Sequence, residues 1–254
     1  MAQASAAATD TSPLQCARCQ SGTAPSLPPE QVWDGVFDPK HRTIAAGEIW
    51  GIRESLIVPI FMLMGVDPTA FLSRPSTTSS TTSSARSWSF TPSAEEIDVA
   101  YKKRHAIRPC VLMSDHAPTD EECDICLLAT FRGTKRREEL LEIFQYVCFP
   151  IYPHVLSANG VHLHFTPEWE NDCTWLMAYR FSSKRPLKKP IRSRDVGNGE
   201  ATIKADADVL AQIDTLSREC YQLWQSKCAD DPETLPRCLQ GFRRFHERAN
   251  AGRR

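Results

Sequence analysis

Apolar positions fall into short compact runs through the middle of the chain and into long helical periods near its end. Pro109 to Met113 and Asp124 to Thr130 are apolar runs bounded by polar turns, the pattern of buried strands, with an exposed loop from Ser114 to Glu122 between them. Asn159-Gly160 divides Val155-Leu156 from the alternating run Val161 to Phe165, which predicts a hairpin. Thr174 to Phe181 predicts a further strand, and Gly47 to Gly51 a short one. The most apolar run, Leu56 to Val66, stays open between a strand and a helix whose first turn holds Pro59.

Helical spacing is clearest after residue 200. Val209, Leu210, Ile213, Leu216, Cys220, Leu223 and Trp224 recur at three- and four-residue steps, and Asp231-Pro232 opens a second helix carrying Leu235, Leu239, Phe242 and Phe245. Glu138 to Val147 places Leu140, Leu141, Phe144 and Val147 on one helical face, and Ser93 to Glu96 has capping-box spacing. Strands in the middle and helices at the end predict an α+β fold: a small, mainly antiparallel and partly closed sheet with C-terminal helices packed against it.

Composition sets the limits of that domain. Residues 1–30 are rich in Ala, Ser, Thr and Pro and read as a disordered segment, and 73–93 as a solvated Ser/Thr-rich insertion. The expected organisation is a single α+β domain over 31–228, interrupted by that insertion, then a C-terminal helix and basic tail over 229–254. With 41% apolar residues the chain can enclose a core, and no run is long enough to cross a bilayer. The N-terminal sequence lacks the pattern of a secretory signal, and ten irregularly spaced cysteines read as reduced thiols, so an intracellular location, cytoplasmic or nuclear, is expected. Thirty basic and 31 acidic residues exclude a globally basic nucleic-acid binder, and any anion recognition must rest on a local patch.

One such patch is suggested by Arg108, which opens one predicted strand, and Thr130, which closes the next. Antiparallel pairing would bring the two to one end of the sheet, where a guanidinium fork and a hydroxyl can both reach phosphate oxygens. Lys102, Lys103 and Arg104 precede Arg108, and Arg132, Lys135, Arg136 and Arg137 follow Thr130. The alternative is a set of ordinary solvated charges. A second basic stretch, Lys184 to Arg194, suits a phosphate-contacting loop, a nuclear import patch or a solvated loop. Cys16 and Cys19, with Cys123 and Cys126, have the spacing of a thiolate zinc site, but residues three apart on a strand face opposite ways, so no metal is assigned.

The segments Gly47 to Trp50, Arg108 to Asp115 and Cys126 to Thr130, with 130 − 108 = 22 residues between the Arg and the Thr, resemble the MazF/PemK family of endoribonuclease toxins. The resemblance implies a small SH3-like β-barrel, commonly a homodimer, that cleaves single-stranded RNA without metal or other cofactor. It places Arg108 and Thr130 at the scissile phosphate, where the ribose 2′-hydroxyl attacks to leave a cyclic phosphate. Arg108, always protonated, would stabilise charge rather than take a proton. His105 and His116 are better suited to proton transfer, although the family motif includes neither. Lys102, Lys103, Arg104, Arg132, Lys135, Arg136 and Arg137 would then hold the RNA. The alternative is a non-catalytic, SH3-like interaction or regulatory module without a membrane partner.

Overall fold

The computed structural model describes residues 43–66, 106–154, 161–193 and 201–251, with side chains described as far as Arg244. Its strands are β1 (Ile49–Ile52), β2 (Arg108–Leu112), β3 (Cys123–Ala129), β4 (Cys148–Pro150), β5 (Trp175–Met177), β6 (Phe181–Ser183) and β7 (Leu187–Pro190), then a small ladder of β8 (Arg192–Ser193) and β9 (Ala201–Thr202). Its helices are α1 (Ile57–Met64), α2 (Glu142–Val147), α3 (Ala207–Asp230) and α4 (Thr234–Ala251).

The main sheet runs in the order β4-β5-β3-β2-β1-β7, and β6 joins the same edge of β3 as β5. All pairs of named strands are antiparallel, and one isolated parallel bridge joins Ile151 to Leu163. β5 and β6 are two halves of one extended segment. Leu128 pairs with Leu176 and Ile125 with Phe181, so the partner numbers slip by two across residues 178–180. That slip bows Ala178, Tyr179 and Arg180 out of the ladder as a bulge. Helix α3 closes over it: the Ser217 hydroxyl accepts from the Arg180 amide at 3.1 Å, and the Arg180 guanidinium holds Asp124 of β3 at 2.6 Å.

Alternation gives the central strands two buried faces. Trp50, Ile52, Cys110, Leu112, Ile125, Leu127, Trp175 and Met177 lie on one face, and Ile49, Val111, Cys126, Leu128 and Leu176 on the other, all buried. The near-continuous apolar runs of β2 and β3 follow from this burial on both sides. Several buried polar groups are matched: the Trp50 indole donates to Glu48 at 3.1 Å, and Glu54 accepts from the Ser183 hydroxyl at 2.6 Å and from the Ser55 amide at 2.9 Å. Gly47 has φ +86, and a Cβ there would stand 2.2 Å from the Ala205 carbonyl oxygen, so glycine alone lets the chain before β1 pass the segment leading into α3.

The helices are locally specified. The run Ile57 to Met64 resolves as α1, with Pro59 in its first turn, and Gly65 ends it in the left-handed conformation with its amide on the Met62 carbonyl. Asp206 caps α3 by accepting from the Val209 amide at 3.0 Å. Arg237 of α4 forks onto Glu142 of α2 at 2.7 and 2.8 Å, and Phe242 meets both Phe61 and Phe144 at the centre of the helical layer.

Two expectations about shape need correction. The sheet is neither closed nor curled into a barrel: β4 and β7 are separate edges that do not pair with each other, so the partly closed, SH3-like barrel is replaced by an open seven-stranded sheet in an α+β fold with C-terminal helices. Closure needs the two end strands to bond. β7 instead ends at Pro190, which lacks an N–H, and exposes Lys188 and Lys189, both of which suit an open edge. The helix expected over Glu138 to Val147 begins only at Glu142, because Leu140 and Leu141 are extended. Residues 1–30 and 73–93, the capping box at Ser93, the turn at Asn159-Gly160, Cys16, Cys19 and His105 lie outside the described residues.

Candidate functional site

Arg108 opens β2 opposite Ile52, and Ile52 in turn pairs with Leu187, so Arg108, Ile52 and Leu187 form a row across three strands. The β2–β3 register (Cys110 with Leu127, Val111 with Cys126), continued two steps, sets Arg108 across from Ala129. Its neighbours on that face are therefore fully buried Ile52 and buried Ala129, whose side chains carry no hydrogen-bond acceptor. The guanidinium is half-buried, its Nε is sealed from water without an acceptor, and no carboxylate pairs with it. Burial lowers its pKa from the usual arginine value.

Three exposed cations share this end of the sheet. Arg53 follows Ile52, and Lys188 and Lys189 follow Leu187; none of them makes an ion pair. The stretch beginning at Lys184 thus reaches Arg108 through β1. The sequence concealed this link, because the pairing of β1 with β7 joins segments more than 130 residues apart, for which no local pattern exists. Among its described residues, Lys184, Arg185 and Arg192 are engaged, Lys184 with Glu122 at 3.8 Å.

Thr130 stands elsewhere. Strand alternation carries it to the face opposite Arg108, where it is exposed, and the same register pairs it with exposed Ile107. The chain then makes a left-handed turn: Phe131, Arg132 and Gly133 have φ of 43, 61 and 85. Phe131 is anchored on Phe144 with ring centroids 4.7 Å apart, and the Thr134 carbonyl accepts from the Trp175 indole at 2.9 Å. Two successive non-glycine residues at positive φ carry backbone strain that the anchored rings sustain.

The basic residues after this turn are mostly neutralised. Lys135 binds Asp172, Arg136 binds Glu138 at 2.6 Å, and Arg137 donates to the Cys148 carbonyl at 3.0 Å and lies over the Phe149 ring. Only Arg132 of that group projects without a partner. Lys102, Lys103 and Arg104 lie outside the described residues.

Other groups with chemical potential are closed off or paired. The Cys123 and Cys126 side chains point to opposite faces of β3, and burial pushes the Cys123 thiol up to about 12 and Cys126 higher. Among the described residues no group of three or more His, Cys, Asp or Glu is arranged to hold a metal ion, and no helix is long and apolar enough to cross a membrane. His116 lies 3.8 Å from Asp120. His162 and His164 meet tip to tip with their Nε2 atoms 3.0 Å apart.

Comparison with family models, with curated proteins and with solved structures returns no match. Together with the open sheet, this overturns the resemblance to the MazF/PemK family and what it implied: the RNA-cleaving or RNA-binding barrel, and the SH3-like interaction module offered as its alternative. The matching segments were short strand signals, which recur wherever an aliphatic strand follows an Arg-Pro pair.

Proposed function

We propose that the protein binds an oxyanion, a phosphate or carboxylate group of a small ligand, at the corner formed by β2, β1 and β7, with Arg108 as its contact. The reading is supported by one observation above all: the Nε of Arg108 is buried and has no acceptor. A cation withdrawn from water without a counter-charge costs folding free energy, on the order of a few kcal/mol where burial is complete. A bound oxyanion offsets that cost through a charge-assisted fork of hydrogen bonds. The neighbouring unpaired cations raise the local potential on a protein whose net charge is −1, which favours anion approach. The eight described cysteines are all free, and this supports a reducing, intracellular compartment.

Isothermal titration of the full chain with inorganic phosphate and with acetate tests the reading. Saturable binding that weakens with ionic strength and disappears in Arg108→Met supports it. No saturable binding, or equal binding by the variant, overturns it.

A further inference from the structure

The side chains in register with Arg108 discriminate between oxyanions. Arg108 stands between buried Ile52 and buried Ala129, and beyond Ile52 the row ends at Leu187, which is partly exposed on the edge strand. Two residues inward on the same face, Trp50 and Leu127 are fully buried, and the Cys110 thiol between them is engaged with the Trp50 carbonyl at 3.3 Å.

The nearby cations do not join this row. Lys188 and Lys189 fall between the Trp50–Pro190 and Ile52–Leu187 pairs, where two residues of β7 oppose Gly51 alone. Gly51 belongs to the face that Ile52 does not, so alternation turns both lysines away from Arg108. Arg53, one residue past Ile52, is turned the same way. Arg108 is thus a single guanidinium on an otherwise apolar row.

A carboxylate has two oxygens, and one guanidinium fork satisfies both with parallel hydrogen bonds. A phosphate group brings more oxygens and about −1.5 to −2 of charge at neutral pH. The same fork leaves some of those oxygens beside aliphatic side chains, where they lose water and gain no donor. The body of the ligand meets the opposite condition: each methylene that it buries against Leu187 tightens binding by up to about 4-fold.

On the reading that Arg108 holds an oxyanion, we infer that the ligand is an aliphatic monocarboxylate, with its carboxylate on the Arg108 fork and its hydrocarbon body against Leu187. Phosphate binds the same fork more weakly.

The test is isothermal titration of the full chain with acetate, butyrate and hexanoate at one ionic strength, with inorganic phosphate as the other anion and hexanol as the neutral counterpart. Arg108→Met and Leu187→Thr are compared, each checked for folding by circular dichroism. Affinity is expected to rise from acetate to hexanoate by up to about 4-fold per methylene. Hexanoate should bind more tightly than phosphate, and hexanol should show no saturable binding. Arg108→Met should abolish hexanoate binding, and Leu187→Thr should shrink the gain per methylene. Phosphate binding at least as tightly as hexanoate, with both lost in Arg108→Met, leaves the anion site standing and overturns the monocarboxylate. No saturable binding of any anion overturns both. Hexanoate binding that survives in Arg108→Met, or that hexanol matches, is apolar association and overturns the monocarboxylate as well. Should Arg108→Met fail to fold, the order of affinities in wild type and the Leu187→Thr series decide.

Discussion

Arg108 stands in register with Ile52, a charged side chain beside one that is fully buried. A half-buried guanidinium without an acceptor works against folding in the absence of ligand. Arg108→Met keeps the aliphatic stem and removes the charge, and is expected to stabilise the ligand-free protein by about 1 kcal/mol. Urea unfolding in a chloride buffer measures it; a variant less stable than wild type would show that Arg108 contributes to the fold in its own right.

Gly47 is tied to its position by both conformation and space. Gly47→Ala places a methyl group where the Ala205 carbonyl stands, on a backbone at φ +86, and β1 and the segment leading into α3 must separate. A loss of about 2–4 kcal/mol is expected in denaturant unfolding. By contrast, Gly133→Ala meets no atom within 4 Å at φ +85, and the left-handed strain alone predicts a loss of about 1 kcal/mol.

The fork between Arg237 and Glu142 makes the docking of α4 sensitive to acid. The Arg237 guanidinium holds the Glu142 carboxyl below its usual range, and that of Asp231 likewise. A carboxylate whose folded pKa is depressed stabilises the protein above its unfolded pKa, and that stability fades as pH falls through the folded value. Glu142→Gln is therefore expected to lower the melting temperature modestly at neutral pH, with the difference from wild type shrinking below about pH 4. A difference that persists unchanged into acid would contradict the assignment.

The buried thiols are expected to be inert. Burial pushes Cys123, Cys220 and Cys238 up to about 12, and it also raises Cys110, Cys126 and Cys148 well above the usual thiol range. Thiolate is thus scarce at pH 8, and alkylation mapped by mass spectrometry should leave these six unmodified until denaturant is added. Rapid native labelling of Cys126 would mean that β3 opens.

Much of this architecture was legible in the sequence, because it rests on local signals. The apolar runs of β2 and β3, the three- and four-residue period of α3 and the Asp-Pro start before α4 each report a face that must be buried. The closing of the sheet was not legible, since it depends on whether β4 and β7 pair, and both are short segments with weak patterns. The same limit applied to the site. Arg108 was identified from its strand-opening position, but its partners Ile52 and Leu187 come from distant segments. Thr130 seemed adjacent from strand order alone, although a one-residue step in register sets it on the other face. Charge patterning also misled: Lys135, Arg136 and Arg137 read as a basic surface, whereas Asp172, Glu138 and backbone carbonyls engage them.

The melting temperature of wild type and Arg108→Met, each titrated with inorganic phosphate at constant ionic strength, tests the anion site most directly. Wild type should rise with phosphate along a saturable binding curve while the variant starts higher and stays level, because only a ligand held by the native guanidinium shifts the folding equilibrium. Parallel rises in the two proteins, or no rise in either, would contradict it.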